Sequence, residues 1–221
     1  MKNRFLAIMA LFMIQATTAL AFDEGFEYKL VKPPQATSDP AKVEVLELFW
    51  YGCPHCNEFE PTLNKWLKNK PEHVKFVRVP AIFRKSWATH ARAYYTAEAL
   101  GVLDKVHSEI FHEIHDKGKK TVALLDEVDI EKFFVKHGVK KEDFKRTWDS
   151  FVVQSRVRRA ATLTRSYGIN GVPAMVVNGK YRTSAKEAGI QDPSKVTNDQ
   201  MMKVVDWLVE KERKALPGSK K

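Results

Sequence analysis

Residues 43–56 read VEVLELFWYGCPHC, and this stretch decides the fold. Its first part, Val43–Trp50, is rich in β-branched and aromatic residues, which is typical of a buried strand. Apolar residues at helical spacing follow from Phe59 to Leu67. The four-residue motif Cys53-Pro54-His55-Cys56 is therefore predicted to lie where a strand passes into a helix.

A pair of cysteines at the first turn of a helix is typical of a redox centre. The free N–H groups and the dipole at the helix start favour a negative charge, which predicts Cys53 as the attacking thiolate. Cys56, one turn later and facing inward, is predicted to resolve the mixed disulfide. Pro54 suits the helix start, and a partly positive His55 is expected to lower the pKa of Cys53 further. Each unit by which the pKa of Cys53 falls below the ambient pH stabilises the reduced form by about 1.4 kcal/mol. The motif therefore predicts an oxidising protein.

These are the chain's two cysteines, and other roles for them were weighed. A structural disulfide closing a four-residue loop would stabilise the fold by only about 2 kcal/mol. A zinc site would need further ligands such as His107, His112 and His115, but tetrahedral sites usually show two recognisable ligand pairs. We expect these histidines to lie at the surface or the edge of the core. A chance occurrence of the motif is disfavoured by its position between strand and helix.

Glu47 is a carboxylate within the apolar strand. It shares one strand face with Val45 and Phe49, and burial raises a carboxyl pKa. We therefore expect Glu47 to exchange protons with the thiol of Cys56. The alternative is that Glu47 merely pairs with Arg78 or faces solvent at a strand edge. Glu44, near the strand start, is predicted to be an ordinary surface residue.

The rest of the sequence predicts an α/β unit interrupted by helices. A second strand is expected at His73–Val79, followed by helical patterns through residues 86–167. After Pro173 come a strand, an Asn178-Gly179 hairpin turn and a second strand. An amphipathic helix over Met201–Leu216 ends the pattern, with Thr197, Asn198 and Asp199 as the candidate N-caps.

The N-terminal residues predict export. Lys2 and Arg4 precede an apolar run at Phe5–Ile14, and Ala19-Leu20-Ala21 resembles a signal-peptide cleavage site, so the mature chain is expected to start at Phe22. The apolar run is shorter than the roughly 20 residues that span a bilayer. With 44% hydrophobic residues the remainder is expected to be globular. The net charge of +10 is compatible with a loose attraction to membranes, but the sequence has no nucleic-acid-binding motif.

Three segments together resemble the DsbA family of bacterial periplasmic thiol:disulfide interchange proteins. They are CPHC after an apolar strand, WDSFVVQS at residues 148–155 and GVPAMVVNGKY at residues 171–181. The resemblance implies a thioredoxin-like α/β fold with an inserted α-helical domain. Its expected boundaries are 1–21 for the signal peptide, 22–85 with 168–221 for the thioredoxin-like domain, and 86–167 for the insertion.

The resemblance also implies roles for individual residues. It makes Cys53 the nucleophile, Cys56 the resolving cysteine and Glu47 the buried acid. It places a cis-proline at Pro173 beside the sulfurs, with Val172 offering backbone groups to a bound peptide strand. The basic partner of the buried acid, usually Lys in the family, is Arg78 here. Because Arg does not deprotonate, its part in a proton relay is left open.

By the same resemblance, the substrates are reduced, unfolded exported proteins in the periplasm. A quinone-linked inner-membrane partner similar to DsbB reoxidises the protein, and no soluble cofactor, metal or nucleic acid is required. We expect a monomer. The alternatives are a disulfide isomerase or reductase of the same fold, and a peptide-binding chaperone or metal carrier with incidental cysteines. Isomerases of this class carry an N-terminal dimerisation module, for which the residues between Phe22 and Cys53 leave no room.

Overall fold

The computed structural model describes residues 21–116, 124 and 126–216. The predicted signal peptide lies outside the described residues except for Ala21. A mixed five-stranded sheet has the order β1-β5-β4-β2-β3. Its strands are β1 Lys29–Leu30, β2 Val43–Phe49, β3 Val74–Pro80, β4 Ala174–Val177 and β5 Tyr181–Thr183. β2 lies inside the sheet, parallel to β3 and antiparallel to β4, so Glu47 is not at a strand edge.

Helices cover both faces of this sheet. They are α1 Pro54–Asn69, α2 Trp87–Ala99, α3 Leu103–His115, α4 Glu127–Lys136, α5 Lys141–Trp148, α6 Phe151–Ser166, α7 Ala185–Ala188 and α8 Asn198–Arg213, with a 3-10 turn at Pro193–Lys195. The helices α2 to α6 fall between β3 and β4, as the sequence predicts. This is a thioredoxin-like fold with inserted helices.

The two faces of β2 belong to two apolar cores. Val43 and Val45 pack with Phe59 and Leu63 of α1 and with α8. Leu46 and Leu48 pack in a second core formed with the inserted helices. All seven residues of β2 are buried, because helices cover both sides of the strand. The strand that carries the motif is therefore held in the interior.

Local signals set the boundaries in the C-terminal part. Asn178 and Gly179 both have positive φ, 51° and 64°, as the predicted hairpin turn requires. A Cβ on Gly179 would lie 2.0 Å from the carbonyl oxygen of Gln35, so only glycine fits there. Thr197, one of the three predicted candidates, is the N-cap of the last helix, because its hydroxyl accepts a hydrogen bond from the N–H of Gln200.

One surface prediction is wrong. Glu44 is buried, with 5% of its surface exposed, and its carboxylate accepts hydrogen bonds from the N–H and hydroxyl of Ser38. The loop before β2 therefore folds over the start of the strand. The pattern of the strand alone does not reveal this, because the hydroxyl partner lies in that loop.

Candidate active site

The motif occupies the junction between β2 and α1. Cys53 is the N-cap of α1, with extended backbone at φ −93° and ψ 116°, and Pro54 is in the first turn. No side chain caps this helix, and the N–H groups of His55 and Cys56 in its first turn favour a negative charge on the Cys53 sulfur. Both cysteines are in the dithiol form and both are buried. The predicted strand-to-helix placement of the motif is observed.

The environment of Cys53 favours the thiolate. Its pKa is lowered to about 6, mainly because the Cys56 thiol donates a hydrogen bond to it. The N–H groups of Cys56 and His55 and the charge of His55 lower the pKa further, whereas burial opposes them. His55 itself is exposed, and its Nδ1 lies 3.1 Å from a carboxylate oxygen of Glu58. The effect of the imidazole on the thiol therefore acts from the surface.

Cys56 has the opposite character. It is completely buried, and burial raises its pKa well above the ordinary thiol value. The neighbouring Cys53 sulfur and the charge of Glu47 raise it further. The two thiols thus differ in acidity: Cys53 favours the thiolate form, and Cys56 favours the protonated form.

A loop that is distant in sequence completes the site at Cys53. The Val172–Pro173 peptide bond is cis, and the Cys53 Sγ lies 3.4 Å from the Val172 carbonyl oxygen. The loop follows α6 and leads directly into β4, which pairs with β2. Sheet pairing therefore carries residues that are 119 positions apart into contact.

A groove of about 800 Å3 opens beside this loop. Its walls come from the first turns of α1, the loop before β4, the β5–α7 region and the start of α8. The lining residues are His55, Glu58, Ile169–Ala174, Arg182, Ser184–Glu187 and Val196–Asn198. The groove mixes apolar side chains with charged ones, and it is continuous with the residues around Cys53.

Glu47 is both buried and paired with Arg78, which the sequence analysis had treated as alternatives. Its side chain is completely buried, and Arg78 Nε donates a hydrogen bond of 2.8 Å to Oε2. Burial raises the pKa of Glu47 to about 7; Arg78 lowers it and the nearby Glu60 raises it. Its Oε1 accepts no hydrogen bond from any residue in the described part of the chain. The carboxyl is thus able to carry a proton near neutral pH.

Sequence reasoning missed Glu60, which shares Arg78 with Glu47. Both oxygens of Glu60 accept from Arg78 Nη2, at 3.0 and 3.2 Å. Glu60 lies four residues after Cys56, on the same face of α1, and this spacing is the signal that a search of the helix would have found.

Of the three α3 histidines, His107 is placed differently from the prediction. His107 is buried, with 5% exposure, and not at the surface or the edge of the core. Its Nδ1 lies 2.7 Å from the Tyr51 hydroxyl, and its Nε2 lies 3.5 Å from Glu60. His115 Nε2 donates to the Tyr51 carbonyl oxygen at 2.7 Å, and His112 is exposed. Across residues 21–116, 124 and 126–216, no cluster of three or more potential metal ligands is formed.

Comparisons with known proteins agree with this geometry. A family model described as a DSBA-like thioredoxin domain matches residues 44–198. The thiol:disulfide interchange protein DsbA of Pseudomonas syringae pathovar tomato is 40% identical over 215 residues, covering 97% of this chain and 96% of that protein. The protein of the same name from Pseudomonas aeruginosa is 40% identical over 218 residues, covering 97% and 99%.

Solved structures give the same result. The crystal structure of Pseudomonas aeruginosa DsbA superposes with a TM-score of 0.78 at 41% identity, covering 88% of this chain and 96% of that one. The oxidoreductase DsbA from Xylella fastidiosa gives a TM-score of 0.75 at 29% identity, covering 85% and 95%.

Proposed function

The chain belongs to the DsbA family of thiol:disulfide oxidoreductases, and from this premise we propose that it is a dithiol oxidase that donates a Cys53–Cys56 disulfide to reduced, unfolded exported proteins. The observation that carries the proposal is the opposed acidity of the two thiols. The pKa of Cys53 is lowered to about 6, while that of Cys56 is raised well above its ordinary value. Opening the disulfide leaves each sulfur in the protonation state that its surroundings favour.

The reaction proceeds through a mixed disulfide. A substrate thiolate attacks the Cys53 sulfur, the Cys53–Cys56 bond breaks, and Cys56 leaves with the electron pair. Because Cys56 is buried and resists charge, it takes up a proton, and Glu47 is the donor that we propose. Arg78 then stabilises the Glu47 carboxylate through the 2.8 Å hydrogen bond.

The second half of the reaction releases the product. A second substrate thiolate attacks the substrate sulfur of the mixed disulfide, and Cys53 leaves as a thiolate. Two electrons have then moved from two substrate thiols to the enzyme disulfide. The two substrate thiols lose two protons. One of them reprotonates Glu47, which gave its own proton to Cys56, and the other is released to solvent. A lowered pKa of Cys53 favours this departure.

We propose that Val172 and Pro173 hold the substrate chain beside Cys53. The Val172 carbonyl oxygen lies 3.4 Å from the sulfur that is attacked, so an extended peptide paired with this backbone would present its own sulfur there. The adjoining groove, of about 800 Å3, would take flanking residues of the substrate. Pro54 and His55 complete the catalytic motif, Pro54 by starting the helix and His55 by favouring the thiolate.

The lowered pKa of Cys53 supports oxidation over isomerisation or reduction. Each pKa unit by which the thiolate is stabilised favours the reduced form by about 1.4 kcal/mol, which is about 30 mV for two electrons. A protein that is more stable reduced passes its disulfide to substrates. It must then be reoxidised, and a quinone-linked, DsbB-like protein of the inner membrane is the partner that we propose.

Location and domain organisation belong to the same proposal. We propose a periplasmic monomer from which residues 1–21 are removed on export. Residues 22–85 and 168–221 would form the thioredoxin-like domain, and residues 86–167 the insertion. In the part of the chain that the structure describes, every helix is too short or too polar to cross a membrane.

Equilibration with glutathione buffers tests the direction of electron flow. We expect the wild-type protein to be reduced by glutathione and to introduce disulfides into a reduced peptide. A reduction potential at or below that of thioredoxin, about −270 mV, would overturn the oxidase assignment. Cys53→Ser should abolish disulfide transfer. Cys56→Ser keeps the Cys53 sulfur and should accumulate mixed disulfides when its Cys53 thiolate attacks a disulfide of the oxidised peptide.

A further inference from the structure

One face of α3 contacts Tyr51, which lies just before the Cys53–Cys56 motif. His107, Phe111 and His115 follow one another at intervals of four, so they share that face. The ring of Phe111 meets the ring of Tyr51 edge-on, with the centroids 5.0 Å apart. His115 donates to the Tyr51 carbonyl oxygen, and His107 contacts the Tyr51 hydroxyl, both at 2.7 Å. Tyr51 precedes Cys53 by only two residues.

The contacts of His107 define its protonation. Burial lowers the pKa of His107, so the ring is neutral, and burial raises the pKa of Tyr51, which keeps its hydroxyl proton. Nε2 faces a Glu60 oxygen at 3.5 Å. A lone pair on Nε2 would face the carboxylate unfavourably, so Nε2 carries the hydrogen and Nδ1 accepts from the Tyr51 hydroxyl. His107 thus joins Tyr51 to Glu60.

We propose that His107 is a positioning residue of the dithiol reaction, which acts by holding Glu60 and so determines how Arg78 is shared between Glu60 and Glu47. The proposal rests on the exchange chemistry proposed above for Cys53 and Cys56. It gives an inserted helix an influence, through Glu60 and Arg78, on the carboxyl group that we propose as the proton donor to Cys56.

The physical basis is that a single cation serves two carboxylates. Arg78 donates from Nε to Glu47 at 2.8 Å and from Nη2 to Glu60 at 3.0 Å. The Nε2–H of His107 lies 3.5 Å from a Glu60 oxygen, outside hydrogen-bond geometry, and its positive end stabilises the ionised pair electrostatically. Without this N–H group, the pair binds a proton more tightly, because Arg78 alone must compensate two buried negative charges.

Other groups also face this cluster. They are Tyr51, Cys56 of the motif, Asn64 of α1, Tyr94 of α2 and Asp104 of α3. Of these residues, Tyr51 is the one in direct contact with the His107 ring, so His107→Leu also removes the partner of the Tyr51 hydroxyl. Tyr51→Phe measures the loss of that hydroxyl contact separately.

The test is a titration of the reduced protein labelled with 13C at the glutamate carboxyl groups. Glu47→Gln and Glu60→Gln assign the two resonances. In His107→Leu we expect the first proton that the Glu47–Glu60 pair takes up on acidification to bind more tightly than in wild type, by up to roughly fivefold, which is the effect that the loss of a full hydrogen bond would have. His112→Leu, at an exposed position of the same helix, should leave the titration unchanged.

Further variants keep the test decisive. His107→Gln retains an amide donor and should restore most of the wild-type titration. If His107→Leu does not fold, Tyr51→Phe removes the hydroxyl that fixes the imidazole tautomer, and a smaller change in the same direction is expected. In His107→Leu/Glu60→Gln, the pKa of Glu47 should equal that of Glu60→Gln alone. Equal titrations of wild type and His107→Leu, or additive effects in the double variant, would overturn the proposal.

Kinetics separate this proposal from the proposed function. The oxidised wild-type protein is mixed with a reduced peptide, and the rate of mixed-disulfide formation is followed against pH. In His107→Leu the pH above which this rate falls should rise, and in His112→Leu it should not. A wild-type protein that does not oxidise the peptide overturns the proposed function. A wild-type protein that does so while His107→Leu has an unchanged pH profile overturns only the role of His107.

Discussion

The ring of Trp50 lies over Gly52 so closely that a Cβ on Gly52 would be 2.3 Å from the ring atom Cζ2. The Trp50 ring is held there by a parallel stack on Trp87 of α2, with centroids 4.1 Å apart and planes 5° apart. The residue immediately before Cys53 must therefore lack a side chain. The motif is shaped by an aromatic stack as well as by its own four residues.

Gly52→Ala tests this packing. The added methyl group has to displace Trp50 from its stack, and we expect a loss of about 1–3 kcal/mol in the free energy of unfolding. Denaturant unfolding of the reduced protein measures it. Gly171→Ala is the matched control, because a Cβ at Gly171 has no atom within 4 Å. Equal stability of the two variants would show that Trp50 moves aside at no cost.

The acidity of Cys53 depends on Cys56 more than on His55. The hydrogen bond from the Cys56 thiol is the largest cause of the lowered pKa, and the charge of His55 is a smaller one. We expect Cys56→Ala to raise the pKa of Cys53 from about 6 by more than His55→Ala does. Cys56→Ser keeps a hydroxyl donor and should give the smaller increase of the two Cys56 variants. Thiolate absorbance against pH measures all three, and a larger effect of His55→Ala would contradict this ranking.

The relative stability of the two redox forms should reverse with pH. The pKa of Cys53 is lowered in the folded dithiol from 9.0 to about 6, so this stabilisation is present at high pH and is lost as the pH falls through about 6. At about pH 8 it amounts to about 3 kcal/mol, against about 2 kcal/mol from closing the short disulfide loop. We therefore expect the reduced protein to melt at the higher temperature at about pH 8, and the oxidised protein at about pH 5. An oxidised form that is the more stable at both pH values would contradict the oxidase assignment.

The effect of Glu47→Gln on stability should become more favourable as the pH rises. Because the pKa of Glu47 is raised to about 7, the wild type loses stability as the pH rises through that value, whereas an amide does not titrate. Relative to wild type, we expect the variant to gain about 1–3 kcal/mol between about pH 5 and about pH 8. Unfolding of both proteins in denaturant at each pH measures the gain. Glu58→Gln, an exposed site beside the motif, is the control and should show no such trend.

Much of the fold follows from local sequence signals. The period of VEVLELF, the helix start at Cys53 and the Asn178-Gly179 turn depend on neighbouring residues, and all three are observed. The network around Arg78 is different, because its members come from four elements of the chain. Nothing in the sequence near His107 indicates that α3 turns this side chain towards Glu60, so it was assigned to the surface or the core edge.

The same difference explains the results for the two glutamates of β2. Glu47 was identified because its neighbours on one strand face are apolar. Glu44 was misjudged because its burial depends on Ser38 in the preceding loop. A charged residue inside an apolar strand is visible in a sequence, whereas a charged residue covered by an irregular loop is not.

The hydrogen bond from His115 to the Tyr51 backbone has an evolutionary consequence. Because α3 is attached to the chain just ahead of the two sulfurs, substitutions in the inserted helices can alter reactivity while CPHC stays the same. Relatives with identical motifs are therefore free to diverge in the strength with which they oxidise their substrates, and a comparison limited to the four motif residues would miss the difference.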